Sequence, residues 1–131
     1  MLPRKARGAE TRSAPFGRCT LFLADAPVKF HLDTKIFTAP KAWGARDIAE
    51  IEGASVRLHW TDQPYVWHVN DGAEVFVVLE GAVDMHYREG VTEKVQALGP
   101  GDVMLAEVGD EHVAHPVGPA RILVIEKKGS V

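Results

Sequence analysis

The chain has 131 residues, of which 46% are apolar and 25% charged, a composition typical of one globular domain. No apolar run approaches the roughly 18 residues of a membrane-spanning helix, so we expect no membrane partner. The net charge of −3 argues against a nucleic-acid partner, because phosphates are bound by clustered Lys and Arg.

The first residues differ from the rest of the chain in charge. Residues 1–36 are predicted to form an N-terminal arm that is basic and partly disordered, ahead of a single β-barrel domain over residues 37–131. Within the arm, residues 20–30 are apolar enough for a short strand that packs on the domain or on a partner subunit. The single cysteine, Cys19, excludes an internal disulfide framework and favours the reducing cytoplasm.

From Asp47 onward, short apolar stretches alternate with turn residues, which is the pattern of an all-β sandwich or barrel. No helix of three turns and no internal repeat is predicted. Alternation in residues 54–60 places Arg57 and His59 on one face and the apolar side chains on the other. Further strands are predicted at about 47–52, 75–79, 82–88, 103–106 and 120–126.

A polar cluster precedes the most apolar strand, in the segment WHVNDGAEVFVVLEG at residues 67–81. On a strand, His68 and Asn70 point to the same face because they are two residues apart. Asp71-Gly72 predicts a hairpin turn, after which Glu74 opens the returning strand over that face. We therefore expect three polar side chains at one end of a hairpin.

The strand that follows Glu74 is apolar on both faces. If Glu74 faces the interior, then Val75, Val77 and Leu79 face outward and need cover. A homodimer is the expected way of covering them.

Two segments resemble the motifs of the cupin superfamily. His68, Glu74 and Gly81 are spaced as in the first motif, and residues 101–116, GDVMLAEVGDEHVAHP, resemble the second. The resemblance extends over roughly residues 43–128 and is to small single-domain bacterial cupins. It implies an all-β fold, the double-stranded β-helix or jelly-roll barrel.

The resemblance also implies a metal site in the barrel. Carried over by position, its ligands are His68, Glu74 and His112, with Asn70 in the place of the usual second His. Two imidazoles and a carboxylate suit a divalent transition metal such as Fe, Zn, Ni or Mn. Other departures from the motifs are Asp62 for Gly, Glu107 for Pro and Pro116 for Asn.

The implied function is the binding of this metal and action on a small polar metabolite, with dioxygenase and isomerase chemistry not distinguished. The alternative is a non-catalytic module that binds or senses a small molecule in a degenerate, metal-free site. The sequence leaves open whether the protein is an enzyme.

Other histidines and tryptophans are weaker site candidates. His59 lines the cavity or lies on the surface, His86 is expected on a solvated face, and His115 should point away from His112. Trp60 and Trp67 either wall a pocket or pack in the core.

Overall fold

Short antiparallel strands make up most of the computed structural model, which describes residues 31–130. In chain order they are β1 (Gly44–Ile51), β2 (Ala54–Thr61), β3 (His68–Val69), β4 (Glu74–Glu80), β5 (Val83–Glu89), β6 (Thr92–Leu98), β7 (Val103–Ala106), β8 (Glu111–Pro116) and β9 (Ala120–Lys127). The helical content of this part of the chain is one 3-10 turn, Thr34–Ile36. No helix within it has the length and apolar character needed to cross a membrane. The all-β prediction is confirmed.

The strands form two sheets that enclose the core. One sheet has the order β1-β2-β9-β4-β7, and the other has the order β3-β8-β5-β6. Consecutive strands such as β3 and β4, or β7 and β8, belong to different sheets, so the chain passes back and forth between the two layers. This is the predicted double-stranded β-helix.

Alternating side chains give each sheet one buried face. Along β4, Glu74, Phe76 and Val78 are buried, whereas Val75 and Val77 are only half-buried. Each fully buried aliphatic side chain contributes about 1.5–3 kcal/mol to folding. The core between the sheets consists of Phe76, Val78, Val83, Met85, Leu98, Ala114, Ala120, Ile122 and Val124.

The predicted hairpin at Asp71-Gly72 is wrong. β3 pairs with β8, and β4 pairs with β9 and β7, so the two flanking strands lie in different sheets. β3 is only two residues long, and it is anchored to β8 rather than to the strand that follows it. The segment between them therefore carries the chain across the barrel instead of closing a ladder.

The predicted arm, residues 1–36, lies for the most part outside the described residues. From Asp33 onward the described chain belongs to one compact unit. The backbone carbonyl of Phe37 accepts a hydrogen bond of 2.7 Å from Nε of Arg121 on β9, which attaches the entry segment to the five-stranded sheet.

Candidate metal centre

Two histidines from neighbouring strands meet in the interior. His68 on β3 is the direct cross-strand partner of His112 on β8, and their Nε2 atoms are 3.0 Å apart. Nδ1 of His68 lies 3.0 Å from the carbonyl oxygen of Val66, which can only accept, so this nitrogen carries the proton. With this proton on Nδ1, Nε2 of His68 can present its lone pair toward His112.

The opposite sheet supplies a carboxylate to the same place. Oε1 of Glu74, at the start of β4, lies 3.3 Å from Nε2 of His112. Glu74 and His112 are only 7% and 3% exposed, so they meet away from bulk water. Ligand atoms of these two residues and His68 all lie within 4.8 Å of one another, the arrangement expected of a metal site.

Asn70 holds the carboxylate in position. Its Nδ2 donates to Oε1 of Glu74 at 3.1 Å and to the carbonyl oxygen of Gly72 at 3.2 Å. Its Oδ1 is buried and has no hydrogen-bond partner among residues 31–130. The Asn70 amide thus both orients Glu74 and keeps an unused acceptor beside it.

The backbone around Asn70 is fixed by the loop before β8. The amide of Asn70 donates to the carbonyl of Asp110 at 2.9 Å, and the amide of Gly109 donates to the carbonyl of Asn70 at 2.8 Å. Gly109 has φ of 92°, a conformation that side chains with a Cβ rarely adopt. This turn explains why a glycine three residues before His112 belongs to the motif.

Hydrogen bonds decide the charge of Glu74. Burial by itself would raise the pKa of its carboxyl, but hydrogen bonds from His112 and Asn70 outweigh burial and lower that pKa below its usual value. The carboxylate is therefore ionised at neutral pH, the form that binds metal.

The three donor atoms suit a metal ion better than a proton. One Nε2–H of His112 would have to serve both Nε2 of His68 and Oε1 of Glu74. For metal–ligand bonds of about 2.1 Å, ligand atoms on adjacent octahedral positions lie about 3.0 Å apart and tetrahedral ones about 3.4 Å apart. The observed separations from Nε2 of His112, 3.0 and 3.3 Å, lie in this range. These residues fit a divalent transition metal.

A cavity of about 180 Å³ opens beside the triad. This volume corresponds to roughly six water molecules, so the cavity suits a small molecule. Its lining includes His59, for which the sequence left open a place either in the cavity or on the surface. The sequence did not single out four other lining residues, Trp43, Tyr65, Glu126 and Ser130.

Trp43 forms an aromatic wall of the cavity in a strained conformation. Its φ is 62°, which is uncommon for a residue with a side chain and costs on the order of 1–3 kcal/mol. Nε1 of Trp43 donates to the carbonyl of Gln63 at 2.8 Å, and the Trp43 carbonyl accepts from Nδ1 of His59 at 3.1 Å. Tyr65 packs edge-on against both Trp43 and His68.

Besides Glu74, two ionisable side chains of the cavity have shifted pKa values. Burial lowers the pKa of His59, although its hydrogen bond to Trp43 opposes this, so the ring is neutral at physiological pH. Burial, together with the nearby carboxylate of Glu74, raises the pKa of Glu126 to about 7. The cross-strand pairing of Glu126 with Glu74 explains this proximity.

The remaining sequence candidates lie elsewhere. His86 and His115 are on the outer face of the four-stranded sheet, as predicted, and their ring centroids are 4.3 Å apart. Neither Trp60 nor Trp67 lines the cavity beside the triad. Instead, Cζ of Arg88 lies over the Trp67 ring, 3.9 Å from the centroid of that ring.

The sequence matches a known family over most of the domain. The profile of the family described as AraC-like ligand binding domain matches residues 50–129, which include every residue of the triad. No curated protein matches the sequence significantly.

Several solved structures share the two-sheet barrel. A cupin-2 domain-containing protein from Shewanella frigidimarina is 26% identical, with a TM-score of 0.62 over 72% of this chain and 97% of its own. A cupin superfamily protein from Desulfitobacterium hafniense is 15% identical, with a TM-score of 0.64 over 77% of this chain and 93% of its own. Fe(II)-HppE, solved with an alternative substrate, is 16% identical, with a TM-score of 0.55 over 63% of this chain and 48% of its own.

Proposed function

The chain belongs to the family of AraC-like ligand-binding domains, and from this premise we propose that it binds a small polar molecule at a divalent transition metal held by His68, Glu74 and His112. The expected relationship to small cupins is confirmed by the shared fold. The convergence of three ligand atoms within 4.8 Å, two of them on buried side chains, is the observation that carries the proposal.

Each residue of the centre has a separate task. His68 presents Nε2 because the Val66 carbonyl holds the proton on Nδ1. Glu74 supplies the negative charge, and the Nδ2 group of Asn70 orients its carboxylate by a hydrogen bond. The Oδ1 atom of Asn70 is available as a fourth, weaker ligand. When bound, the metal supplies Lewis-acid polarisation of an oxygen atom of the ligand or substrate.

The walls of the cavity select what reaches the metal. Trp43 and Tyr65 form one apolar, aromatic side of the cavity. The Glu126 carboxyl group and the neutral ring of His59 offer hydrogen-bonding groups. Such a mixture of aromatic and convergent polar groups is typical of small-molecule sites. The metal is proposed to be Fe, Zn, Ni or Mn, and the iron in the name of Fe(II)-HppE keeps Fe among these.

Elemental analysis tests the metal centre directly. Wild-type protein, purified without added metal, is expected to retain about one transition-metal ion per chain, because three protein ligands suffice for a stable site. His112→Ala should lose most of it, whereas His115→Ala, on the same strand but the opposite face, should not. Equal occupancy in wild type and His112→Ala would overturn the ligand assignment.

A metal-free binding module is the second candidate function, and the family description as a ligand-binding domain favours it. In that case His112, Glu74 and His68 form a hydrogen-bonded network that binds the ligand without an ion. The two functions separate in chelator-treated protein, because a metal-free module would keep its ligand affinity and a metal-dependent one would lose it.

We further propose a cytoplasmic homodimer. The outward side chains Val75, Val77 and Leu79 are only half-buried, and the single Cys19 suits a reducing compartment. Light scattering at micromolar concentration should give twice the chain mass of 14.3 kDa. A mass of one chain would reject the dimer.

A further inference from the structure

Arg57 lies at the boundary between two neighbouring spaces. Together with Glu126 and Ser130, it lines both the inner cavity of about 180 Å³ and an adjoining outer groove of about 440 Å³. Its position on β2 is two residues from His59, so both side chains project to the interior face of the sheet. A molecule in either space therefore lies beside the Arg57 side chain.

The guanidinium is held in place but keeps donors for a ligand. Nε of Arg57 donates to Oδ1 of Asp47 at 2.7 Å. Within residues 31–130 its two Nη groups have no hydrogen-bond partner, and the side chain is 41% exposed. The Asp47 side chain is 81% exposed, so this ion pair is screened by water and neutralises Arg57 only weakly.

A second polar group beside Arg57 also lacks a partner. Oγ of Ser130 is buried, lines the same two spaces and makes no hydrogen bond within the described part of the chain. Because a buried hydroxyl without a partner costs about 1–3 kcal/mol, a ligand that bonds to it would recover this energy. The other cation of the groove, Lys128, is already paired with Glu50 at 3.0 Å.

We propose that Arg57, with the Ser130 hydroxyl, anchors the carboxylate of a small anionic ligand whose other end lies at the metal centre; this rests on the metal function proposed above. With a divalent ion bound, the inner cavity is lined by the three positive charges of the ion and Arg57 and by only the two negative charges of Glu74 and Glu126. Asp47 lines the outer groove alone, where water screens its charge. The site therefore favours an anion. The planar fork of a guanidinium matches a carboxylate better than an ammonium does.

The volume of the inner cavity limits the ligand to a few non-hydrogen atoms. Hydroxy acids and keto acids of two to four carbons combine a carboxylate with a second oxygen that can reach a metal. Glycolate, lactate and pyruvate are suitable probes, and glycolamide, lactamide and pyruvamide are their neutral counterparts.

Calorimetry with these probes on Co²⁺-loaded protein tests the proposal. At least one acid should bind wild type tenfold or more tightly than its neutral counterpart. Arg57→Met should lose tenfold or more of that affinity with unchanged Co²⁺ content, and Arg57→Lys should recover part of it. Arg46→Met, on β1 and outside both spaces, is the matched control and should bind like wild type.

Failures of the two proposals give different results. Wild type that takes up Co²⁺ but binds no acid better than its amide overturns the role of Arg57 alone, as does Arg57→Met with unchanged affinity. Wild type that takes up no Co²⁺ overturns the metal function and the metal-bound end of the ligand with it. Circular dichroism establishes that each variant is folded.

Discussion

Two pairs of histidines lie on opposite faces of the four-stranded sheet, and both use strand β8. His68 and His112 face the interior, with Nε2 atoms 3.0 Å apart. His86 and His115 face outward, with ring centroids 4.3 Å apart and planes tilted by 46°. Both pairs therefore consist of two histidines, one of which lies on β8. One pair lies inside the barrel and the other lies on its outer surface.

The difference lies in the third group and in burial. The inner pair meets buried Glu74, and within residues 31–130 this is where three potential ligand atoms come within 4.8 Å. In the outer pair, His86 donates from Nδ1 to Glu93, whose side chain is 51% exposed. Two histidines become a candidate metal centre when a buried carboxylate converges with both of them, whereas Glu93 is exposed.

Removal of metal should give the largest difference between variants of the inner pair and variants of the outer pair. A ligand at 1,000 times its dissociation constant stabilises the folded state by about 4 kcal/mol. Since about 1 kcal/mol shifts the Tm of a domain of this size by about 4–8 °C, a chelator should lower the wild-type Tm by more than about 10 °C. His115→Ala should respond equally, and His112→Ala should not respond. A wild-type Tm unaffected by the chelator would mean that the inner pair binds no metal.

Asn70→Ala should weaken the inner site without removing a histidine. Because Asn70 donates to Glu74 at 3.1 Å, its loss frees the carboxylate to rotate. Partners of metal ligands typically contribute 10–100-fold to affinity, so we expect metal binding about tenfold weaker or more. Chelator competition measures the change, with Asn70→Asp as the variant that keeps the side-chain shape. An unaltered affinity in Asn70→Ala would mean that Glu74 is held without the amide.

His59→Gln should change how stability depends on pH. Burial lowers the folded-state pKa of His59 below 6.5, so the stability it contributes is present above the unfolded pKa and lost as pH falls through the folded pKa. In chelator-treated protein, His59→Gln should therefore lose less Tm than wild type between pH 7 and pH 5. His115→Ala, from the outer pair, is the control and should follow wild type. Equal losses of Tm in His59→Gln and wild type would mean that His59 does not cause the pH dependence of stability.

Glu93→Gln should have the smallest effect. It removes the carboxylate that accepts the exposed hydrogen bond from His86, and exposed polar pairs of this kind contribute about 0–1 kcal/mol. We expect a change in the free energy of unfolding below about 0.5 kcal/mol and no change in metal content. Urea denaturation measures the first quantity. A loss of metal in Glu93→Gln would show that the outer pair binds an ion after all.

Some parts of the molecule were beyond prediction from local pattern. The exposed edge strand β6 was not predicted, because its sequence TEKVQAL buries only its final leucine and so lacks alternation. The hairpin at Asp71-Gly72 was wrong, because an Asp-Gly turn predicts a change of direction but not which strand the chain pairs with next. Trp43 was not predicted to line the cavity, because its position beside His59 depends on a backbone conformation that no local pattern encodes.

Alternation of apolar residues and the turn residues were sufficient to predict the all-β fold and the inward face of β4. These two features follow from the two-residue period of strands, which is local. The joint placement of His68, Glu74 and His112 was implied by the resemblance to cupins. Tertiary structure alone decided that the triad spans two sheets and that Arg57, Glu126 and Ser130 share its cavity. Those neighbours come together through pairing of β9 with β2 and β4, strands far apart in sequence. Which distant strands pair is decided by burial of the whole core, and no single segment carries that information.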